Sequence, residues 1–276
     1  MITAIMTTVS KPKSDPGQFS DSPVARVTFL LISCGLLIYF VGEVFKETVN
    51  PSLVAEMAPK TTEMVHTAGA ISSGALTDGE VNGVPYYHCA AAGDDDRDII
   101  LLHGAKFTKE DWLSSKILHL LCAHGRVSAT ALDLSVQSDH KKLLGLLRGL
   151  AFGEGLLQPD GNYVVVTPSA SGKTMVDWIN HGDHDELLEN VGLWVPIASP
   201  AIANVDEAKL SKLRSQGFSM LAMYGDQDKM GQQVSEKLAQ VGGAKVKKFP
   251  GPHPFYFDIA EEFTDYLLGE IHALQS

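Results

Sequence analysis

One stretch, residues 163–174 (YVVVTPSASGKT), constrains the fold of this chain more than any other. Four apolar, mostly β-branched residues run directly into a proline, several small residues and a glycine. This pattern predicts a buried strand that ends sharply and leads into a helix. Proteins with parallel α/β sheets place reactive groups at such junctions, at the carboxyl edge of the sheet. We therefore expect the functional site of this chain to include this stretch.

Two motifs compete for these letters. Residues 167–171 read as small-x-Ser-x-small, a relaxed form of the Gly-x-Ser-x-Gly nucleophile elbow. Residues 167–174 read instead as a phosphate loop that ends in Gly-Lys-Thr but lacks its first glycine. Pro168 counts against the phosphate loop, because proline removes one of the backbone N–H groups that would wrap a phosphate. The nucleotide-binding interpretation is therefore the weaker one.

The order of predicted elements indicates the fold class. A hairpin with its turn at Asn82-Gly83 comes first, and Pro85 predicts that its second arm lies at a sheet edge. Strand and helix patterns then alternate to the end of the chain, with strands expected at 98–102, 127–134, 163–166, 193–197, 219–224 and 244–249. This alternation predicts a mostly parallel, open sheet with helices on both faces, within a domain spanning 79–276.

Composition excludes some functions. The chain has 276 residues and a formal net charge of −11, and no basic run is present, so we expect no nucleic-acid partner. Its three cysteines are too few for a disulfide framework or a zinc site. A Cys89–Cys122 bridge in an oxidising compartment is one interpretation, but two buried free thiols are favoured. The HGDHD letters at 181–185 are read as a solvated loop, not as a metal site.

The amino-terminal segment carries a membrane signal. Residues 1–26 are polar, residues 27–42 are uncharged, and the apolar character extends to position 45. A helix over 27–45 would be just long enough for a thin bilayer. A retained anchor is favoured over a cleaved signal peptide or a buried helix, with 46–78 as a linker. The basic residues ahead of the segment favour a single-pass type II orientation, with the folded domain lumenal or extracellular.

The nucleophile elbow requires partners, and the chain supplies them in order. His103-Gly104-Ala105 follows the 98–102 strand, where a second oxyanion donor is expected. Two candidate acids, Asp226 and Asp228, follow the 219–224 strand. His253 follows the last strand. Serine, aspartate and histidine in this order are typical of an α/β-hydrolase fold.

Within the elbow, Ser169 is the better nucleophile candidate. Its neighbours two positions away, Thr167 and Ser171, are small, whereas Ser171 would have Lys173 at the second of those positions. Ser171 is expected to form a local hydrogen bond at the helix start. The backbone N–H groups of Ala105 and Ala170 are then the predicted oxyanion hole.

These residues resemble the α/β hydrolase domain-containing protein 14 family, in particular its membrane-anchored branch. The similarity covers roughly residues 80–274 and is most specific in four motifs: LLHGAKF, VVVTPSASG, YGDQDKMGQ and GPHPFYFD. It implies a nearly lidless serine hydrolase with Ser169, Asp228 and His253 as its triad, and it selects Asp228 over Asp226. It also implies small acyl substrates (an ester, a thioester or an acetylated lysine of a protein) and, in the soluble branch of the family, coenzyme A as an acyl acceptor. We expect no metal and no bound cofactor. The alternative from another class is a catalytically idle hydrolase fold that serves as an interaction module.

Overall fold

The computed structural model describes residues 75–91 and 97–274. The predicted polar segment, the predicted anchor and most of the predicted linker lie outside these residues. Within the described ranges, no helix is both long enough and apolar enough to cross a bilayer. The first strand begins at Leu76, slightly before the domain start expected at Gly79.

The described residues form one mixed sheet with helices. The strands are β1 (Leu76–Val81), β2 (Val84–Cys89), β3 (Arg97–Leu101), β4 (Val127–Leu132), β5 (Tyr163–Pro168), β6 (Val191–Ile197), β7 (Leu221–Gly225) and β8 (Lys245–Phe249). The helices are α1 (Lys109–Ser114), α2 (Ile117–His124), α3 (His140–Arg148), α4 (Gly172–His181), α5 (His184–Asn190), α6 (Glu207–Ser215), α7 (Lys229–Lys237), α8 (Phe255–Asp258) and α9 (Ala260–Ala273). The sheet order is β1-β2-β4-β3-β5-β6-β7-β8. Strands β3 to β8 pair in parallel, and β1 and β2 are antiparallel to their neighbours.

Both faces of the sheet are covered, as the sequence predicts. Ile100 and Val165 face one apolar core, which α3, α4, α6 and α7 complete. Ile99 and Val164, each one residue earlier, face a second core completed by α2 and α9. The side-chain period of a strand is two, so a strand buried on both faces reads as a continuous apolar run. This is why YVVV is apolar throughout.

The hairpin is confirmed, but the prediction for its second arm is wrong. β1 and β2 pair around the Asn82-Gly83 turn, where both residues have positive φ. β2 is not an edge strand, because it also pairs with β4 from Tyr86 onward. Pro85 lies just before the first pair of that ladder, and its carbonyl accepts a hydrogen bond from Asp133 N at 2.9 Å. The missing N–H of Pro85 therefore lies outside the β2–β4 ladder, one residue before its first pair.

The expectation of free thiols is also wrong. Cys89 at the end of β2 and Cys122 in α2 form a disulfide with a Cα–Cα distance of 5.7 Å. Both residues are buried in the core shared by the sheet and α2. The packing of α2 on this face of the sheet brings together two cysteines that are 33 positions apart in the sequence. On the loop-entropy argument, closing a loop of this size contributes roughly 3–4 kcal/mol to stability.

The HGDHD letters do not form a loop. His181 is the last residue of α4, and His184 is the first residue of α5. Asp183 caps α5, since its side chain accepts hydrogen bonds from the N–H groups of Asp185 and Glu186. Asp183 is therefore a helix cap.

Candidate active site

Ser169 occupies a sharp turn between β5 and α4. Its φ is +53°, in the left-handed region, and it opens a short 3₁₀ turn (Ser169–Ser171) that leads into α4. A residue with a side chain adopts this conformation only when its surroundings impose it, at a cost of about 1–3 kcal/mol. The helix side of the turn leaves little space, because a Cβ on Gly172 would collide with Ser199 Oγ, and on the other side Gly104 lies next to Ser169. This is the strained strand-to-helix geometry of a nucleophile elbow.

Ser171 has a structural environment, in agreement with its expected role. It is buried, and its hydroxyl donates a hydrogen bond to the Pro168 carbonyl at 2.8 Å. The end of β5 is held by a second bond, from Trp194 Nε1 to Thr167 Oγ1 at 2.8 Å. Both contacts fix the backbone on either side of Ser169. In the described residues the Ser169 hydroxyl itself makes no such hydrogen bond, and its side chain is only partly buried.

Asp228 and His253 form a close pair. His253 Nδ1 lies 2.6 Å from Asp228 Oδ2, which is the length of a strong charge-assisted hydrogen bond. Asp228 also caps α7, and its Oδ1 accepts a hydrogen bond from Gly231 N at 2.8 Å. The Asp228 side chain is 9% exposed and the His253 side chain 35% exposed. The Asp228 carboxylate is therefore fixed and largely buried, while the His253 imidazole reaches solvent.

Asp226 serves a different purpose. Its Oδ1 accepts a hydrogen bond from Gly251 N at 2.9 Å, which ties the loop after β7 to the loop that carries His253. The Asp228 N–H closes the same turn by donating to the Gly225 carbonyl. Of the two candidate acids, only Asp228 contacts the histidine ring.

The sheet brings these loops to one edge. Ser169, Asp228 and His253 follow β5, β7 and β8, which run parallel in one sheet, so all three lie at its carboxyl edge. Phe107, from the loop after β3, would contact a Cβ on Gly104 beside Ser169, and its ring lies 4.9 Å from that of Phe257. Phe107 therefore lies between the glycine beside the elbow and α8, the short helix that follows the histidine loop. No hydrogen bond joins Ser169 to His253 among the described residues; such bonds are often long before substrate binds.

The predicted oxyanion donors are available. In the described part of the chain, neither the Ala105 nor the Ala170 amide donates a hydrogen bond to protein. The loop that carries Ala105 is held by His103, whose Nδ1 donates to the Gly104 carbonyl at 3.0 Å. His103 Nε2 lies 3.2 Å from Asp133 Oδ1, but off the direction of a hydrogen bond. Asp133 therefore neighbours the loop that carries the predicted oxyanion donor Ala105.

Residues Gly172, Lys173 and Thr174 do not form a phosphate-binding loop in the described structure. Thr167 and Pro168 still belong to β5, so no wrapping loop precedes Gly172. Lys173 Nζ donates to Gln137 Oε1 at 2.9 Å, and Thr174 Oγ1 donates to the Ser138 carbonyl. These side chains fasten α4 to the segment between β4 and α3.

The sequence analysis missed a second cluster of aspartate and histidine. Asp177 in α4 accepts hydrogen bonds from His140 Nδ1 at 2.6 Å and from His181 Nδ1 at 3.0 Å. The four-residue spacing of Asp177 and His181 on one helix was the available signal. Burial raises the pKa of Asp177, but the hydrogen bonds from His140 and His181 lower it by a larger amount. The net result is a lowered pKa. The described residues contain no group of three or more His, Cys, Asp or Glu side chains arranged to hold a metal ion.

Comparison with known proteins agrees with this geometry. No protein-family model matches the chain. ABHD14B of Pongo abelii, a candidate protein-lysine deacylase by name, is 30% identical over 185 residues, which cover 64% of this chain and 84% of that protein. ABHD14A of Danio rerio is 29% identical over 62% of each chain. Among solved structures, a CIB-like hydrolase from Thermoplasma acidophilum matches with a TM-score of 0.56 at 19% identity, over 71% of this chain and 98% of that one.

The structural match and the sheet order establish the α/β-hydrolase fold. The sequence match to ABHD14B extends over most of that protein. The chain therefore belongs to the ABHD14 family of α/β hydrolases and is a hydrolase enzyme.

Proposed function

We propose that this protein is a serine hydrolase in which Ser169, His253 and Asp228 act as a catalytic triad. His253 accepts the Ser169 proton as the serine oxygen attacks the carbonyl carbon of an acyl substrate. The protonated His253 then donates that proton to the leaving group as its bond to the carbonyl carbon breaks. A water molecule repeats the sequence on the acyl-enzyme, which releases a carboxylic acid and restores the serine.

Asp228 has two roles in this mechanism. Its hydrogen bond to Nδ1 orients the imidazole so that Nε2 faces the serine, and its charge stabilises the imidazolium that forms. The contact with Gly231 N at the start of α7 fixes the carboxylate while it does so. The free amides of Ala105 and Ala170 would donate to the oxyanion of the tetrahedral intermediate.

The observation that carries the proposal is the backbone of Ser169. A serine held at φ +53° between a buried strand and a helix, three residues before a glycine at which a Cβ would collide with Ser199, has a strained conformation with no evident structural benefit. Strain of this kind is concentrated at functional sites. The Asp228–His253 pair at the same sheet edge supports a nucleophilic role for this serine.

For the substrate we propose a small acyl compound: an ester, a thioester or an acylated lysine of a protein. The name of the ABHD14B relatives, candidate protein-lysine deacylases, supports the last of these. Water is the proposed acyl acceptor, and coenzyme A is the alternative acceptor that the family resemblance implies. The mechanism requires no metal, because the triad and the amides supply the nucleophile and the electrostatic stabilisation.

We also propose that residues 27–45 anchor the enzyme in a membrane, with the catalytic domain on the lumenal or extracellular side. The basic residues before the apolar stretch support this orientation. The Cys89–Cys122 disulfide supports it independently, because structural disulfides persist in oxidising compartments.

Labelling with a fluorophosphonate probe tests the catalytic proposal, since the probe reacts only with an activated serine. We expect the folded protein to be labelled, Ser169→Ala to abolish labelling, and Ser171→Ala to retain it as the matched control. Failure of the folded protein to label, or labelling that survives Ser169→Ala, contradicts the proposed mechanism. The first result would favour the catalytically idle alternative.

A further inference from the structure

A groove of about 500 Å³ adjoins the elbow on the α4 side. It runs between α4 and the 3₁₀ turn Pro200–Asn204 that follows β6, and Ala170 lines one end. Its wall is mainly apolar and includes Val176, Pro200 and Ala201. The volume falls within the range of about 300–1,000 Å³ that is typical of small-molecule sites. An acetyl group would leave most of this space empty.

The polar side chains around the groove already have partners. Lys173 donates to Gln137, and Asp177 accepts from His140 and His181. Asn180 Nδ2 donates to the Asn204 carbonyl, and Asn180 Oδ1 accepts from Asp206 N. These groups therefore do not require hydrogen bonds from a ligand, and what remains is apolar surface.

The position of the groove relative to the triad decides which part of a substrate enters it. In the proposed mechanism the leaving group must lie next to His253, which protonates it. The residues that line the groove come from the elbow, α4 and the turn after β6, and none belongs to the loop that carries His253. A groove next to the elbow that the histidine loop does not line is suited to the acyl side of the substrate and not to its leaving group.

We propose that this groove binds the acyl chain of the substrate and that the enzyme prefers unbranched chains longer than acetyl. This inference rests on the proposed function and extends it to the substrate class. From Lys173 to His181 the groove follows α4 over about 12 Å, at 1.5 Å per residue. An extended chain advances roughly 1.2 Å per bond, so the groove accommodates about six to ten carbons.

The test uses p-nitrophenyl acetate, butyrate and octanoate, which differ only in the acyl chain. For the wild-type enzyme we expect kcat/KM to rise from acetate to octanoate. Ala201→Phe, which fills the groove, should lower the octanoate-to-acetate ratio of kcat/KM by about 10-fold or more. Ala203→Phe is the matched control, because Ala203 is exposed on the same 3₁₀ turn but does not line the groove, and it should leave the ratio unchanged.

The outcomes separate the two proposals. A wild-type enzyme that is labelled by fluorophosphonate but shows no preference for octanoate overturns the groove assignment alone, as does an equal ratio in Ala201→Phe and Ala203→Phe. Absence of both labelling and hydrolysis overturns the catalytic mechanism, and the groove assignment with it. If Ala201→Phe does not fold, Asn204→Trp fills the same groove from an exposed position and must give the same lowered ratio.

Discussion

Two aspartate–histidine pairs in this molecule have the same contact distance. His253 Nδ1 lies 2.6 Å from Asp228 Oδ2, and His140 Nδ1 lies 2.6 Å from Asp177 Oδ2. Their surroundings differ. The His253 side chain is 35% exposed at the carboxyl edge of the sheet, whereas the His140 side chain is 9% exposed and stacks on Trp178.

The partners of the two acids differ as well. Asp228 contacts a single histidine and a backbone N–H at the start of α7. Asp177 is shared by His140, the His140 backbone N–H and His181, so it links α3 to α4. A short Asp–His contact therefore does not by itself indicate catalysis. What indicates it is an imidazole whose second nitrogen is free to face a substrate, at an edge where a strained serine also lies.

The two histidines give the largest expected contrast. His253→Gln should lower kcat by about 10³–10⁴-fold or more, because it removes the group that moves the proton between Ser169 and the leaving group. His140→Gln should change kcat less than about five-fold, since the ring of His140 contacts Asp177 and Trp178 and no member of the proposed triad. Steady-state hydrolysis of p-nitrophenyl butyrate measures both. Similar losses in the two variants would remove the functional distinction between the pairs.

The two aspartates separate catalysis from stability. Asp228→Asn should lower kcat by about 10²–10⁴-fold, because an amide neither orients the imidazole correctly nor stabilises its charge. Asp177→Asn should instead lower the free energy of unfolding by about 1–3 kcal/mol, because it weakens hydrogen bonds between α3 and α4. Kinetics and urea denaturation at neutral pH measure the two effects.

The pH dependence of the free energy of unfolding is a control for the Asp177→Asn prediction. The folded-state pKa of Asp177 is lowered, so its carboxylate stabilises the protein above the unfolded-state pKa of about 3.9, and this contribution is lost as pH falls through the folded-state value. The stability difference between wild type and variant should therefore shrink on acidification. A difference that grows instead would contradict the assigned hydrogen bonds.

A third histidine, His88, shows what burial does without a carboxylate. It is 1% exposed and contacts Thr130 Oγ1 at 2.9 Å, and burial lowers its pKa from 6.5 to about 4. The unfolded chain then binds a proton that the folded chain excludes between these pH values, so stability falls as pH drops from 6.5 towards 4. The loss is roughly 3 kcal/mol over this window. Urea denaturation of His88→Gln should show a weaker acid dependence, whereas the exposed control His119→Gln should keep that of the wild type.

Much of the fold follows from local patterns. The apolar run 163–166, the Asn82-Gly83 turn and the alternation of strands with helices predict a mostly parallel sheet, because each depends on the residues nearest in sequence. The structure departs from prediction where contacts between distant segments decide. Pro85 predicts an edge strand, but β4 lies beside β2, and the ladder between them begins at Tyr86, just after the proline. Asp183 was assigned to a loop, but it caps a helix.

The candidate site divides in the same way. The sequence by itself determined the elbow at Ser169 and the order of serine, acid and histidine, because these depend on small neighbours and on strand ends that a local pattern reveals. Only the tertiary structure decided that Asp226 binds the backbone of the loop that carries His253, that Cys89 meets Cys122, and that α4 and the turn after β6 enclose a groove. Each of these depends on a distance between segments far apart in the chain, and such distances are set by the packing of helices on the sheet.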